Sequence, residues 1–147
     1  MTLKVLSVFI IFSILLIVCD CKTYLPCEFA SALKKEGITN RKQLGTWTCI
    51  AKYESNFNTK AINSKSGDYG ILQINSKYWC STSSTAGKGC NIRCSSLLGD
   101  SIRPDVTCAK KIYAETKRIS GDGFTAWVVY KKYCLGDQTK WISKCKL

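Results

Sequence analysis

The chain contains no histidine. Without an imidazole, Ser-His and Cys-His nucleophile pairs have no base and the usual hydrolytic metals lose their commonest ligand. Acid–base chemistry therefore falls to carboxylates, and these are scarce: 10 Asp and Glu stand against 22 Lys and Arg, for a formal net charge of +12. Asp20 aside, the acids are Glu28, Glu36, Glu54, Asp68, Asp100, Asp105, Glu115, Asp122 and Asp137. A long apolar run is also missing. The stretch from Val5 to Val18, preceded by the single lysine Lys4, is too short and too poorly flanked to anchor in a bilayer, and it reads as a secretory signal peptide. The small residues Cys19 and Cys21 place the cut after Cys21, so the expected division is residues 1–21 as leader and 22–147 as one domain, exported to the extracellular space. Internal repeats are absent.

Cysteine is abundant by contrast. Beyond Cys19 and Cys21 the chain holds Cys27, Cys49, Cys80, Cys90, Cys94, Cys108, Cys134 and Cys145. An even number in an exported chain points to disulfides, although spacing alone leaves the pairing open. Zinc is the competing use of clustered cysteines, but Cys90 and Cys94 lack a matching second pair and no histidine can complete a site. A domain of this length can build a core and still gains from staples. The basic surface is drawn to polyanions, and for an exported protein these are bacterial envelopes rather than nucleic acid.

Pro26 opens a helical pattern through Glu28, Phe29, Leu33 and Glu36, which Gly37 ends. Thr39 to Arg41 read as a connection, and a second helix spans about Gln43 to Glu54. From Ala61 to Cys80, Gly67 and Gly70 punctuate short strands of a small antiparallel sheet. Ser81 to Gly89, nearly devoid of apolar residues, reads as a long surface loop. Helix returns over Asp105–Arg118, where Val106, Ala109, Ile112, Tyr113 and Thr116 recur on one face. Helical spacing resumes from Phe124 through Trp127, Tyr130 and Cys134, before a short piece around Trp141. The fold class is α+β: a mainly helical lobe, a small antiparallel β lobe, and a cleft between.

The stretch from Lys52 to Cys80, KYESNFNTKAINSKSGDYGILQINSKYWC, holds the clearest chemistry. Trp47, Ile50 and Ala51 precede Glu54 by helical spacings, so Glu54 lies on the buried face, where desolvation resists ionisation. Asp68 follows a turn of Ser64, Lys65, Ser66 and Gly67 and leads into a polar strand whose Gln73 and Asn75 offer amide donors to an ionised carboxylate. Alone, each carboxylate reads as a surface cap or a turn residue. Together, and followed by the Tyr78–Trp79 pair, they read as one acid and one anion. Sugars present apolar ring faces with hydroxyl edges, so a saccharide cleft needs flat aromatics beside amides; Tyr78, Trp79, Trp127, Asn75 and Gln73 provide both. Trp47 and Trp141 are assigned to packing.

KYESNFNT, GDYGILQIN and YWC resemble the active-site signature of C-type lysozymes, and the resemblance runs from about Lys22 to Leu147. It implies a secreted, invertebrate-like member with the lysozyme-like fold and four disulfides: Cys27 with Cys145, Cys49 with Cys134, Cys80 with Cys94, and Cys90 with Cys108. It implies Glu54 as the acid, Asp68 as nucleophile or charge stabiliser, and retention of configuration. Asn63, Gln73, Asn75, Tyr78, Trp79, Ala126 and Trp127 are the implied substrate contacts, with Trp127 packing against the acid. Three departures stand out. The connection from Glu54 to Asp68 is a few residues shorter than in many members and lacks their Asn-Gly-Ser run, Tyr78 replaces a common tryptophan, and Ser120 to Asp122 align loosely. The related calcium-binding pattern needs clustered aspartates between Leu98 and Cys108. Here only Asp105 falls on such a position, so no metal and no cofactor are expected, and Asp100 and Asp105 read as ordinary helix-start carboxylates.

The expected activity is hydrolysis of the β-1,4 bond between N-acetylmuramic acid and N-acetylglucosamine by a monomer without a membrane anchor. Its partners are peptidoglycan or chitin-like oligosaccharide and the anionic bacterial envelope. Two other readings stay open: a saccharide-binding protein with little turnover, suggested by the shortened connection, and a cationic antibacterial protein that needs no enzyme chemistry.

Overall fold

A computed structural model describes residues 22–147; the leader assigned above lies outside the described residues. Helix α1 (Pro26–Lys35) opens where Pro26 needs no hydrogen-bond donor, and the Glu28 carboxylate accepts the Leu25 N–H at 3.3 Å while pairing with Lys22 Nζ at 2.8 Å. It stops at Gly37, whose φ of +85° lets Ile38 N–H turn back to Leu33 O. Helix α2 (Arg41–Ser55) begins earlier than the spacing suggested because the Asn40 side chain accepts the Gln43 N–H and caps it. The cap lies in the segment read as a connection.

Three short antiparallel strands form the sheet in the order β1 (Ile62–Asn63), β2 (Asp68–Tyr69), β3 (Ile74–Asn75). Two strands went unforeseen: β4 (Cys80–Ser81) pairs in parallel with β5 (Ile92–Arg93) and closes the base of the exposed loop between them. A 3-10 turn over Cys94–Leu98, also unforeseen, buries Leu97 and joins this lobe to α3 (Arg103–Ser120), which starts before the expected Asp105 and takes Pro104 into its first turn. Gly121 ends α3 in the left-handed region.

The segment after α3 corrects the sequence reading. Instead of one helix from Phe124, a 3-10 turn (Gly123–Ala126) precedes an extended Trp127 at φ −100°, ψ 118°, and α4 spans only Val128–Tyr133. The break follows from Asp122, whose side chain caps Phe124 N–H and receives the Tyr130 hydroxyl at 2.8 Å, folding the turn back on itself. A 3-10 turn at Thr139–Ile142 accounts for the piece around Trp141.

Phe29, Leu33, Ile50, Ile71, Leu72, Leu97, Val106 and Ile142 are fully buried and link both lobes in one core. Each large side chain withdrawn from water contributes about 1.5–3 kcal/mol. Trp47 sits at the core's centre, edge-on to Trp127 with ring centroids 4.8 Å apart and against Phe124 at 5.0 Å. The four disulfides pair as the resemblance implies: Cys27–Cys145, Cys49–Cys134, Cys80–Cys94 and Cys90–Cys108.

Candidate active site

On α2, Trp47, Ile50 and Ala51 are buried, and one turn later the same face brings Glu54 to the edge of the core, half-buried. Ser55 beside it donates from Oγ to Ile71 O at 2.7 Å, which ties the end of the helix to the β lobe. Strand β2 supplies Asp68. Its register sets Asn63 of β1 and Asn75 of β3 directly across from it, and directly opposed residues share a face.

Two donors hold the Asp68 carboxylate: Asn75 Nδ2 to Oδ1 at 2.6 Å and Ser66 Oγ to Oδ2 at 2.5 Å. Gln73, expected as the second donor, does not reach Asp68. It lies in the left-handed region at φ 49°, and its amide donates to Ala61 O and Gly70 O, bracing the turn. Ser66 takes its place, and an oxygen donor two residues ahead in the 63–67 turn replaces the support of the missing Asn-Gly-Ser run.

Glu54 is placed differently. Its carboxyl pKa rises from the ordinary 4.5 to about 7, first because burial penalises the charge and second because the Asp68 charge opposes another anion nearby. Both carboxylates line one cleft of about 230 Å³, walled by Gln73, Ile74, Asn75 and Trp79 on one side and Ile112, Ala126 and Trp127 on the other, with Val128 and Val129 at the helical rim. The Trp127 indole N–H donates to Leu72 O at 2.9 Å, so the ring is both a core residue and a fixed wall.

Two expected contacts fall elsewhere. Asn63 lines an adjoining open hollow shared with Glu54 and Gln73, and its side-chain oxygen accepts Lys65 and Ser66 N–H groups, which shapes the turn before Asp68. Tyr78 is 59% exposed outside the cleft wall, with Lys77 Nζ 5.2 Å from its ring centroid. Sequence reasoning missed Ser66 and the apolar rim of Ile112, Val128 and Val129. The i, i+2 spacing of Ser66 to Asp68 in a turn was the available signal; the rim depends on the break at Trp127 and had none. Asp105 is a correction too. Far from an ordinary helix-start carboxylate, it is 1% exposed and burial holds its pKa well above the usual range. Among the described residues no group of three His, Cys, Asp or Glu side chains could hold a metal ion.

A carboxyl of raised pKa and a hydrogen-bonded carboxylate line one cleft beside fixed aromatic walls and amides, an arrangement suited to carboxylate-dependent glycoside hydrolysis. Comparison with known proteins agrees. The profile of the C-type lysozyme/alpha-lactalbumin family matches residues 22–145, and the chain belongs to that family. It is 48% identical over 134 residues to the Lysozyme C of Crax fasciolata, covering 86% of this chain and 100% of that protein. The Lysozyme C of Dromaius novaehollandiae is 43% identical over 144 residues, covering 92% and 95%. A lysozyme crystal structure from Litopenaeus vannamei superposes with a TM-score of 0.75 at 39% identity, covering 86% of this chain and 98% of that one. The chain is thus a glycoside hydrolase of the lysozyme kind, acting on peptidoglycan-type saccharide.

Proposed function

We propose that Glu54 and Asp68 carry out retaining hydrolysis of the β-1,4 bond between N-acetylmuramic acid and N-acetylglucosamine. Glu54 gives its proton to the glycosidic oxygen as the bond to the anomeric carbon breaks. Asp68, held by Ser66 and Asn75, meets the resulting positive charge or bonds to that carbon from the opposite face. Water enters after the first product leaves, the ionised Glu54 takes its proton, and the acid is restored. The observation that carries this reading is the carboxyl at about 7 facing a carboxylate already provided with two donors. Asn75, Gln73, Trp79, Ala126 and Trp127 contact the sugars within the cleft, while Asn63 and Tyr78 meet them beyond its wall.

The enzyme works as an exported monomer without an anchor, its leader removed at residue 21. The family match beginning at residue 22 supports that boundary, and no helix among the described residues is long and apolar enough to cross a membrane. The charge of +12 attracts it to the anionic bacterial envelope. Clearing of a suspension of peptidoglycan-rich cells is the test: the wild type clears it and Glu54→Gln does not, with a loss of at least about a hundredfold. Clearing by Glu54→Gln that fades as salt rises would instead assign the killing to surface charge.

A further inference from the structure

The turn Gly70–Gln73 registers three parts of the cleft at once. Gly70 follows β2, which carries Asp68, and its N–H donates to Ala61 O at 2.9 Å. Ile71 O receives Ser55 at the end of the Glu54 helix, and Leu72 O receives the Trp127 indole. Behind this turn, on the first turn of α3, stands Asp105. The approach is so close that a Cβ on Gly70 would overlap Asp105 Oδ1 and lie 2.5 Å from Leu97 O, and Gly70 adopts φ +79° there. Oδ1 is buried without a hydrogen-bond partner.

We infer that Asp105 is a positioning residue for the catalytic pair: its buried carboxyl backs the Gly70–Ile71 peptide and so fixes Asp68 and the Glu54 helix end against one another. The inference rests on the assignment of Glu54 and Asp68 above. A plain structural role accounts poorly for the residue. Among the described residues no cation pairs with it, and an apolar side chain of like volume would fill the site without the cost of burying a polar group. Shape and polarity toward one peptide are what the carboxyl adds. Burial raises its pKa well above the ordinary carboxylate value, against the opposing effect of its own N–H and the Ile71 N–H, which bear on the carboxyl.

The experiment compares Asp105→Asn, Asp105→Ser and Asp105→Ala on a soluble chitooligosaccharide, at a temperature where circular dichroism shows each folded. Truncation to Ser or Ala is expected to lower kcat by about ten- to a hundredfold with KM little changed, the signature of displaced reacting groups. It also moves the alkaline limb of the pH profile to lower pH, because a loosened cleft relieves both the burial and the Asp68 charge that raise Glu54. Asp105→Asn, uncharged and of the same shape, restores most of the turnover and the limb. Should Asp105→Ala fail to fold, the Ser and Asn variants carry the comparison. A folded truncation with wild-type kcat and limb overturns the inference, as does an Asn variant no better than the truncations. Absent turnover in the wild type, or turnover surviving Glu54→Gln, strikes instead at the catalytic assignment.

Discussion

Replacing Glu54 by Gln removes the proton proposed to drive catalysis and also removes a charge the fold resists. The pKa of Glu54 rises from 4.5 in an open chain to about 7 in the folded protein. At about 1.36 kcal/mol per unit the full shift corresponds to about 3 kcal/mol, and solvent reaching a half-buried group reduces this to about 1–2 kcal/mol. The sign follows from linkage. A carboxyl whose folded pKa is raised costs nothing below 4.5, destabilises progressively as pH rises toward 7, and reaches its full cost above that. Glutamine titrates nowhere, so whatever offset it brings is the same at every pH. The stability gap in favour of Glu54→Gln is therefore expected to widen between pH 4 and 8 by about 1–2 kcal/mol, or about 3–8 °C in melting temperature for a domain of this size. Paired guanidinium titrations or thermal melts at closely spaced pH values measure it. A gap that stays constant across this range would refute the reasoning, because it would mean that burial and the Asp68 charge do not act on Glu54 in the folded state. Catalysis and stability thus pull in opposite directions at this residue.

At fixed ionic strength, kcat/KM on peptidoglycan should fall as pH rises through about 7, since the free enzyme must hold the Glu54 proton; undiminished activity at pH 9 would remove Glu54 from the acid role. Replacing Cys49 and Cys134 together by Ala should lower stability by about 2–4 kcal/mol, and it should lower turnover where the variant is still folded, because this bridge ties the acid-bearing α2 to the residue that ends α4. Non-reducing peptide mapping of the wild type should return the four bridges with no free thiol in residues 22–147.

Helices α1, α2 and α3 and the carboxylate pair were legible because short-range rules largely determine them. Pro26 and Gly37 bracket α1, and the Trp47–Ile50–Ala51–Glu54 spacing places the acid on a buried face whatever the rest of the chain does. What escaped depends on contacts distant in sequence. The parallel pairing of β4 with β5 joins residues on either side of a loop that carries no periodic signal. The break at Trp127 follows from the Tyr130–Asp122 hydrogen bond and the pull of Leu72 O on the indole, neither of which changes apolar spacing. Gln73 reads as an amide donor of the polar strand after Asp68, but its left-handed backbone turns the side chain back over Gly70. Asp105 was read from its place at a helix start, where anions are ordinarily solvated, and only the approach of Gly70 and Leu97 reveals that it is enclosed.

The bridge from Cys27 to Cys145 spans 118 residues and makes the described chain nearly a closed ring. A protease that cuts any one peptide bond between those cysteines, including those of the exposed 82–86 segment, opens the ring without releasing a fragment. Cut there, the protein keeps its new ends within a few residues of Cys80 and Cys90, which are bridged to Cys94 and Cys108. A single nick between those cysteines therefore leaves one covalently joined molecule, and release of a fragment from within the ring needs at least two cuts.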